Sequence, residues 1–352
     1  MTRRAFLMTM AIGLLATALC GCRETPPSAT TPPAGAMTPP AGAIPQVTVR
    51  VGYFPNVTHA PAVLGFSAGA QTFARALNGQ ARLETKTFNA GPAEMEALHA
   101  RALDLAFVGP TPAINAYARG GDLVLVANVA NGGSVLVARK GSGIKTLRDV
   151  AGKRIAVPQI GNTQDAILRH LLAEAKIRLK DRGGDTTVLP VENPDVSGLF
   201  QRGELDAACV PEPWGSRLEL EAGATVVLDW KAIWRDGKYP VTVLVVRKEF
   251  LQQHLEAVRA FVGALQQVTQ GLARAPQAQA TALNAELKVL TGKQLQPEVI
   301  TRALKRVEFT TVIDRSSLQA MAEVMKQVGY AKTVPNLDGM LDESLLAPPA
   351  GR

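Results

Sequence analysis

Four times in this chain of 352 residues an apolar segment runs through a short loop of Gly, Pro, Asn and Thr straight into a helical pattern. The loops are Pro55-Asn56-Val57-Thr58-His59, Gly109-Pro110-Thr111-Pro112, Gln159-Ile160-Gly161-Asn162-Thr163-Gln164 and Pro211-Glu212-Pro213-Trp214. Strands that feed directly into helices belong to crossover units, so the chain is constrained toward open α/β sheets. Such junctions also gather at one sheet edge, where free backbone N–H groups and the positive ends of helix dipoles favour a small anion without any cationic side chain. The chain therefore reads first as a binder.

The wider pattern repeats this grammar. Val47, Val49 and Val51 alternate with Thr48 and Arg50 as a half-buried strand does, and the helix after His59 carries Val63, Phe66, Ala70, Phe73 and Leu77 on one face. A helix from Pro92, bearing Met95 and Leu98, precedes a strand at 103–108, and Thr111-Pro112 opens a third helix. A strand at 123–127 leads into an expected flexible crossing at 128–133, then a strand at 135–138. The middle segment reads as strand 154–157, helix 164–175, strand 187–191, helix 194–201 and strand 207–210. Residues 239–246 return the chain to its first sheet, and helices over 249–273, 275–290, 297–307 and 316–328 pack outside. A body of this size exceeds a single core, so two lobes are expected, with two crossings forming a hinge. Lobe 1 is assigned to 46–131 and 243–346, lobe 2 to 132–242, and 347–352 is a tail.

The first 21 residues read as a signal peptide, because Arg3 and Arg4 precede an uncharged apolar run to Leu19 that is shorter than the ~20 residues needed to span a bilayer. The Arg pair followed by Phe6-Leu7 resembles a twin-arginine export signal, although ordinary secretory signals also begin with paired Arg. Leu19-Cys20-Gly21-Cys22 resembles the lipobox of bacterial lipoproteins, with Cys20 atypical. It implies cleavage before Cys22 and acylation of that thiol; the plainer reading is a signal peptide that ends in cysteines. Beyond Cys22 only Cys209 remains, and a lone cysteine forms no intramolecular disulfide. Residues 22–45 repeat Thr-Pro-Pro-Ala-Gly-Ala from Thr31 and from Thr38, a composition that forms no core and reads as an extended tether. An exported protein, held by lipid at the extracytoplasmic face of a bilayer, is expected.

Composition narrows the function. The formal net charge is +8, falling to +6 when Arg3 and Arg4 leave with the signal, and the basic residues are scattered while aromatics make up only 5%. That excludes a nucleic-acid interface, which needs a basic stripe with interleaved aromatics. The four histidines, His59, His99, His170 and His254, have no metal-ligand spacing, so neither metal nor cofactor is expected. No Gly-x-Ser-x-Gly elbow, Cys/His pair, His-Glu-x-x-His run or P-loop ending occurs, and Cys209 lies in an apolar strand where a thiol is inert. An enzyme is not expected.

Within the loops, Asn56, Thr58 and His59 sit at one helix start, where Asn56 or Thr58 also serves as a cap. Thr111 precedes Pro112 at the start of another. Gly161 permits close backbone approach, and Asn162, Thr163 and Gln164 offer neutral donors. Two prolines fix Glu212 and Trp214 in the last loop. Trp214 either covers a ligand's alkyl part or fills core. Glu212 beside an anion is repulsive unless the ligand also carries a positive group or Glu212 meets an Arg. A zwitterionic or otherwise composite ligand is therefore expected.

Taken together, the motifs resemble the solute-binding proteins of bacterial ABC importers in the nitrate/sulfonate/taurine group, close to the aliphatic sulfonate-binding type. The resemblance runs from 47 to 346 through Val51-Gly-Tyr-Phe54, Ala90-Gly-Pro92, Glu96-Ala-Leu98, Leu103-Asp-Leu105, Thr146-Leu-Arg-Asp149, Gly152-Lys-Arg-Ile-Ala156, Leu199-Phe-Gln-Arg-Gly203 with Asp206, and Glu212-Pro-Trp214. It implies the periplasmic binding protein type II fold, two α/β lobes joined by two hinge crossings and closing over a small organic anion such as a sulfonate or taurine. It also implies delivery to ABC permease subunits by a monomeric receptor. Carried onto this chain, the family's site falls on Asn56 to His59, Thr111, the crossing near Asn131 to Ser134, Gly161 to Gln164, and Glu212 to Trp214. Sulfonate and taurine binders typically have a Gly-Ser-Ser/Thr-rich lobe-two loop followed by His, and Gly161-Asn162-Thr163-Gln164-Asp165 departs from that pattern. Two alternatives share the fold: a sensory binding protein, and a thiamine-pyrimidine-precursor binder or enzyme. The enzyme requires a cysteine-rich signature and no export, and neither condition is met.

Overall fold

In the computed structural model, residues 47–346 are described, and they form two separate sheets. The signal peptide, Cys22, the tether and the tail at 347–352 lie outside the described residues. The strands are β1 Val47–Tyr53, β2 Ala81–Thr87, β3 Leu105–Val108, β4 Leu123–Gly132, β5 Ser134–Ala138, β6 Arg154–Val157, β7 Thr187–Pro190, β8 Ala207–Pro211, β9 Thr225–Leu228, β10 Pro240–Arg247 and β11 Val307–Phe309.

The first sheet is ordered β11-β4-β10-β3-β1-β2 and the second β7-β6-β8-β5-β9. In the first, β1 pairs in parallel with β2 and β3, while β10 and β11 run antiparallel to their neighbours. In the second, β6 is parallel to β7 and β8, and β5 is antiparallel to β8 and β9. Because each parallel strand leaves its sheet into a helix, the loops after β1, β2, β3, β6 and β8 all emerge at strand C-terminal ends, where an open α/β sheet binds ligands.

Residues 128–132 belong to β4 rather than to a loose crossing. β10 and β11 hydrogen-bond this stretch on both sides, and Asn128 Nδ2 donates to Asn131 Oδ1 at 2.9 Å and to the Thr310 carbonyl at 3.2 Å. The chain changes sheets at Gly132 and Gly133, both at positive φ (71° and 70°). A Cβ on Gly133 would lie 2.7 Å from Val307 Cγ2 and 2.9 Å from Thr58 Cγ2, so only glycine passes here. The return runs through the segment between β9 and β10.

Three strands carry no clear sequence signal. β2 reads Ala-Arg-Leu-Glu-Thr-Lys-Thr and is largely exposed because it is an edge strand with one neighbour. β9 and β11 are four and three residues long, also at edges. The helix expected over 297–307 ends at Leu304 because 307–309 joins β4. The 249–273 helix breaks at His254 into Lys248–Gln253 and Leu255–Arg274.

Leu255–Arg274 packs on the helices Ala60–Phe66 and Thr72–Ala76, with Phe73 stacked on Phe261 at a ring-centroid distance of 4.2 Å. Helix Arg315–Gln327 lies against Pro110–Ala118 on the first-sheet side and against Thr163–Glu174 on the second. It is fastened to the second by Gln327 Nε2 donating to Glu174 at 2.9 Å and Arg182 donating to the Val328 carbonyl at 2.5 Å. This C-terminal segment thus spans both sheets. Beneath helix Gly91–His99, Glu94 is fully buried and neither carboxyl oxygen has a hydrogen-bond partner, so burial pushes its pKa well above the carboxylate range.

Candidate functional site

Between the two sheets lies a cavity of about 20 Å³. Its walls are the strand-to-helix loops: Phe54, Asn56, Thr58 and His59 after β1, Asn89 to Gly91 after β2, Gly109 and Pro112 after β3. On the opposite side stand Pro158 and Asn162 to Gln164 after β6, with Pro211 ending β8. The starts of helices Gly91–His99, Pro110–Ala118 and Thr163–Glu174 converge here and bring the partial positive charge of their first turns to the wall, although Pro92, Pro110 and Pro112 carry no N–H and the Asp165 N–H is taken by Asn162. None of the lining residues is acidic or carries a fixed positive charge.

His59 is neutral. Its Nδ1 accepts the Phe54 N–H at 3.3 Å, which assigns the ring proton to Nε2, and burial lowers its pKa to about 3. Thr58 is held by Thr242, whose hydroxyl donates to the Thr58 carbonyl at 3.0 Å. Across the cavity, Asn162 caps its helix by accepting the Asp165 N–H at 2.8 Å, leaving its amide NH₂ as a donor. Gln164 donates to Ser134 Oγ at 2.9 Å, so Ser134 stands behind the wall. Thr163 Oγ1 is buried without a partner, and a Cβ on Gly109 would lie 2.3 Å from it, so glycine at 109 lets the two sides meet. Gly161 gives its N–H to Asp165 Oδ2 at 2.7 Å. Asp165 also accepts from Arg169 at 2.8 Å and from the Tyr330 hydroxyl, which pins the whole loop.

Other expected site residues lie elsewhere. Thr111 is buried, with an unpartnered hydroxyl, behind the wall formed by Gly109 and Pro112. Asn131 is on β4, bonded to Asn128 and Glu308. Trp214 donates its indole N–H to Asn56 Oδ1 at 2.8 Å, tying the two sides together. Glu212 meets an Arg: its Oε1 accepts Arg306 Nη1 at 2.8 Å, and its Oε2 accepts the Ser216 N–H at 3.0 Å. Its carbonyl accepts the Val57 N–H at 3.1 Å. Burial alone would lower the Arg306 pKa, but hydrogen bonds and charge from Glu219 and Glu212 outweigh it and hold the guanidinium charged. The carboxylate that motivated a zwitterionic ligand is thus fully engaged within the protein.

Sequence reasoning missed the Asn89-Ala90-Gly91 contribution as a site. The signal was present, since Asn89-Ala90-Gly91-Pro92 is a fifth loop of the same kind, but the polar strand β2 before it hid the junction. Among the described residues no group of three His, Cys, Asp or Glu side chains could hold a metal. Chemically, the arrangement offers neutral donors and helix starts to an anionic group.

The family model described as the NMT1-like family matches residues 42–286. The chain belongs to the NMT1-like family. A taurine-binding periplasmic protein of Escherichia coli (strain K12) is 29% identical over 195 residues, 54% of this chain and 57% of that protein. This NMT1-like chain spans about half the length of the curated relatives it matches. The alkanesulfonate-binding protein SsuA from Xanthomonas axonopodis pv. citri bound to MOPS superposes with a TM-score of 0.70 at 22% identity, covering 86% of this chain and 99% of that one. The periplasmic nitrate-binding protein NrtA from Synechocystis PCC 6803 also gives 0.70, at 16% identity, covering 85% and 87%. Those likenesses place the two-sheet body in the periplasmic binding protein fold, as the resemblance read from the motifs implied.

Proposed function

We propose that this chain is the extracytoplasmic solute-binding component of an ABC importer. It takes a small organic anion, an aliphatic sulfonate, into the cavity between lobe 1 (46–131 and 243–346) and lobe 2 (132–242), and delivers it as a monomer to permease subunits. The observation that carries this reading is the convergence of three helix starts and the neutral donors of Asn56, Thr58, His59, Asn162, Thr163 and Gln164 on one cavity. Charge-assisted hydrogen bonds of about 1.5–3 kcal/mol each would support micromolar binding from three or four donors after ordering costs. The names of the relatives, binders of taurine, alkanesulfonate and nitrate, support the same class. With Glu212 held by Arg306 and no acidic residue in the wall, a plain alkanesulfonate fits better than taurine, whose ammonium would find no counter-charge. The protein acts by binding and release, without catalysis.

A thermal-shift panel of alkanesulfonates, taurine, nitrate and bicarbonate tests the substrate: stabilisation by a sulfonate is expected, and none by any sulfonate refutes the assignment. Anchoring through acylated Cys22 is tested by Cys22→Ser, which should release the protein from the membrane fraction. Unchanged membrane association would refute lipidation.

A further inference from the structure

Basic residues that look scattered along the sequence are gathered by the fold at one pole. Strands β6 and β8 carry their C-terminal ends to the cavity, so their N-terminal ends, with the end of β5 and the start of β7, face the opposite way. Three segments meet there, 139–154, 176–186 and 202–206. Thr186 Oγ1 accepts the Gly152 N–H at 3.0 Å and the Lys153 carbonyl accepts the Thr187 N–H at 2.9 Å, which joins the first two. Arg139 and Arg154, at the two ends of the first, both pair with Asp206 of the third, at 3.5 and 3.1 Å.

These segments hold 11 Lys and Arg against 5 Asp and Glu, a net charge of +6, whereas the other described residues together carry −1. Four of the five acids are already engaged. Asp206 serves Arg139 and Arg154, Glu204 pairs with Arg202, Asp181 with Arg169, and Asp149 accepts the Lys145 and Thr146 N–H groups. Left exposed and without an ion pair are Lys140, Lys145 and Arg148 on the first segment and Lys176, Arg178 and Lys180 on the second.

This pole faces away from the cavity, so it serves neither capture of the ligand nor a handover that takes place at the cleft. We propose that it is a membrane-binding surface, resting on the anionic headgroups of the bilayer to which the tether leads. The inference rests on the exported, lipid-tethered reading and not on which ligand the cavity takes. A single acyl chain holds a protein on a bilayer only reversibly, and a basic patch is a second signal that makes the attachment stable. Each Lys or Arg brought to an anionic surface strengthens binding by about fivefold. The tether joins the body at the start of β1, in the other lobe. Residues 22–45 at about 3 Å each reach about 70 Å, more than the roughly 50 Å width of a folded body of this size, so the pole is free to meet the bilayer.

Co-sedimentation of the mature chain, residues 22–352 prepared without acyl groups, with lipid vesicles tests this. The chain should bind vesicles of mixed phosphatidylglycerol and phosphatidylcholine, leave phosphatidylcholine alone unbound, and be released by about 0.5 M salt. Lys140→Gln, Lys145→Gln, Lys176→Gln and Lys180→Gln together should weaken binding by more than about a hundredfold. The same loss of charge on the first-sheet lobe, through Arg75→Gln, Lys86→Gln, Arg259→Gln and Lys288→Gln, should leave binding within about threefold. All eight side chains are exposed, so neither set disturbs the core. Equal losses in the two sets would assign the attraction to net charge alone, and no binding to the anionic vesicles would leave the pole to an acidic protein partner. Either result overturns the membrane surface while the receptor reading stands.

Discussion

Two loops of the second sheet, Gly161–Gln164 and Glu212–Trp214, each carry a strand into a helix, and they act in opposite ways. The first keeps its polar groups for the cavity. Asp165, one residue beyond it, absorbs the Gly161 N–H, Arg169 and Tyr330, leaving Asn162 and Thr163 with free donor capacity at the wall. The second spends its polar groups within the protein: indole to Asn56, carbonyl to Val57, carboxylate to Arg306 and Ser216, and the Glu212 N–H to the Gly133 carbonyl. On the proposed function, one loop is a reading head and the other a latch. The difference follows from charge, since a carboxylate that stays ionised when buried requires an ionic partner, which Glu94 lacks and Glu212 has, whereas neutral amides and hydroxyls can await a ligand.

Removing the latch's partner breaks the comparison hardest. Arg306→Met leaves Glu212 buried beside no cation and should cost about 3–5 kcal/mol in urea unfolding. A loss below about 1 kcal/mol would show that the latch is not ionic.

Acid attacks the reading side instead. His59 is neutral in the folded protein with a pKa of about 3, against about 6.5 when unfolded, so the unfolded chain binds the extra proton between those values. That contribution to stability is intact above pH 6.5 and falls by about 1.4 kcal/mol per unit as pH drops toward 3. His59→Gln should flatten the slope of melting temperature against pH in that window; an unchanged slope would place the titration elsewhere.

A sharper contrast comes from two variants of similar stability cost. Asn162→Ala removes a cap and Trp214→Phe removes one interlobe hydrogen bond, each worth about 1 kcal/mol. Only Asn162→Ala should also weaken methanesulfonate binding severalfold in calorimetry. Equal losses of affinity would erase the distinction between the loops. The smallest effect is a difference of zero: Glu212→Gln should change taurine and ethanesulfonate binding by the same factor, because the carboxylate faces Arg306 rather than the ligand. Selective loss of taurine would return Glu212 to the reading side.

Much of this was legible in the residues. Alternation at Val47, Val49 and Val51 and the Gly161-Asn162-Thr163 loop each encode local burial and backbone geometry that short-range sterics and capping enforce, whereas the single helix face expected after His59 divides into Ala60–Phe66 and Thr72–Ala76, with 67–71 between them. The polar edge strand β2 was hidden because its pairing with β1, not its composition, makes it a strand. Asn131 and Thr111 carry the same donor chemistry as Asn162, yet a strand register and a buried helix turn hold them away from the cavity.

By itself, the sequence determined that this chain alternates strand and helix, that its loops present helix starts at sheet edges, and which family it belongs to. Tertiary structure alone decided which of those loops line the cavity. Arg306 and Glu212 are 94 residues apart, and no local pattern announces that the fold will bring them within 2.8 Å. Periodicity is written by each residue's neighbours in the chain, whereas the fate of a buried charge is written by its neighbours in space.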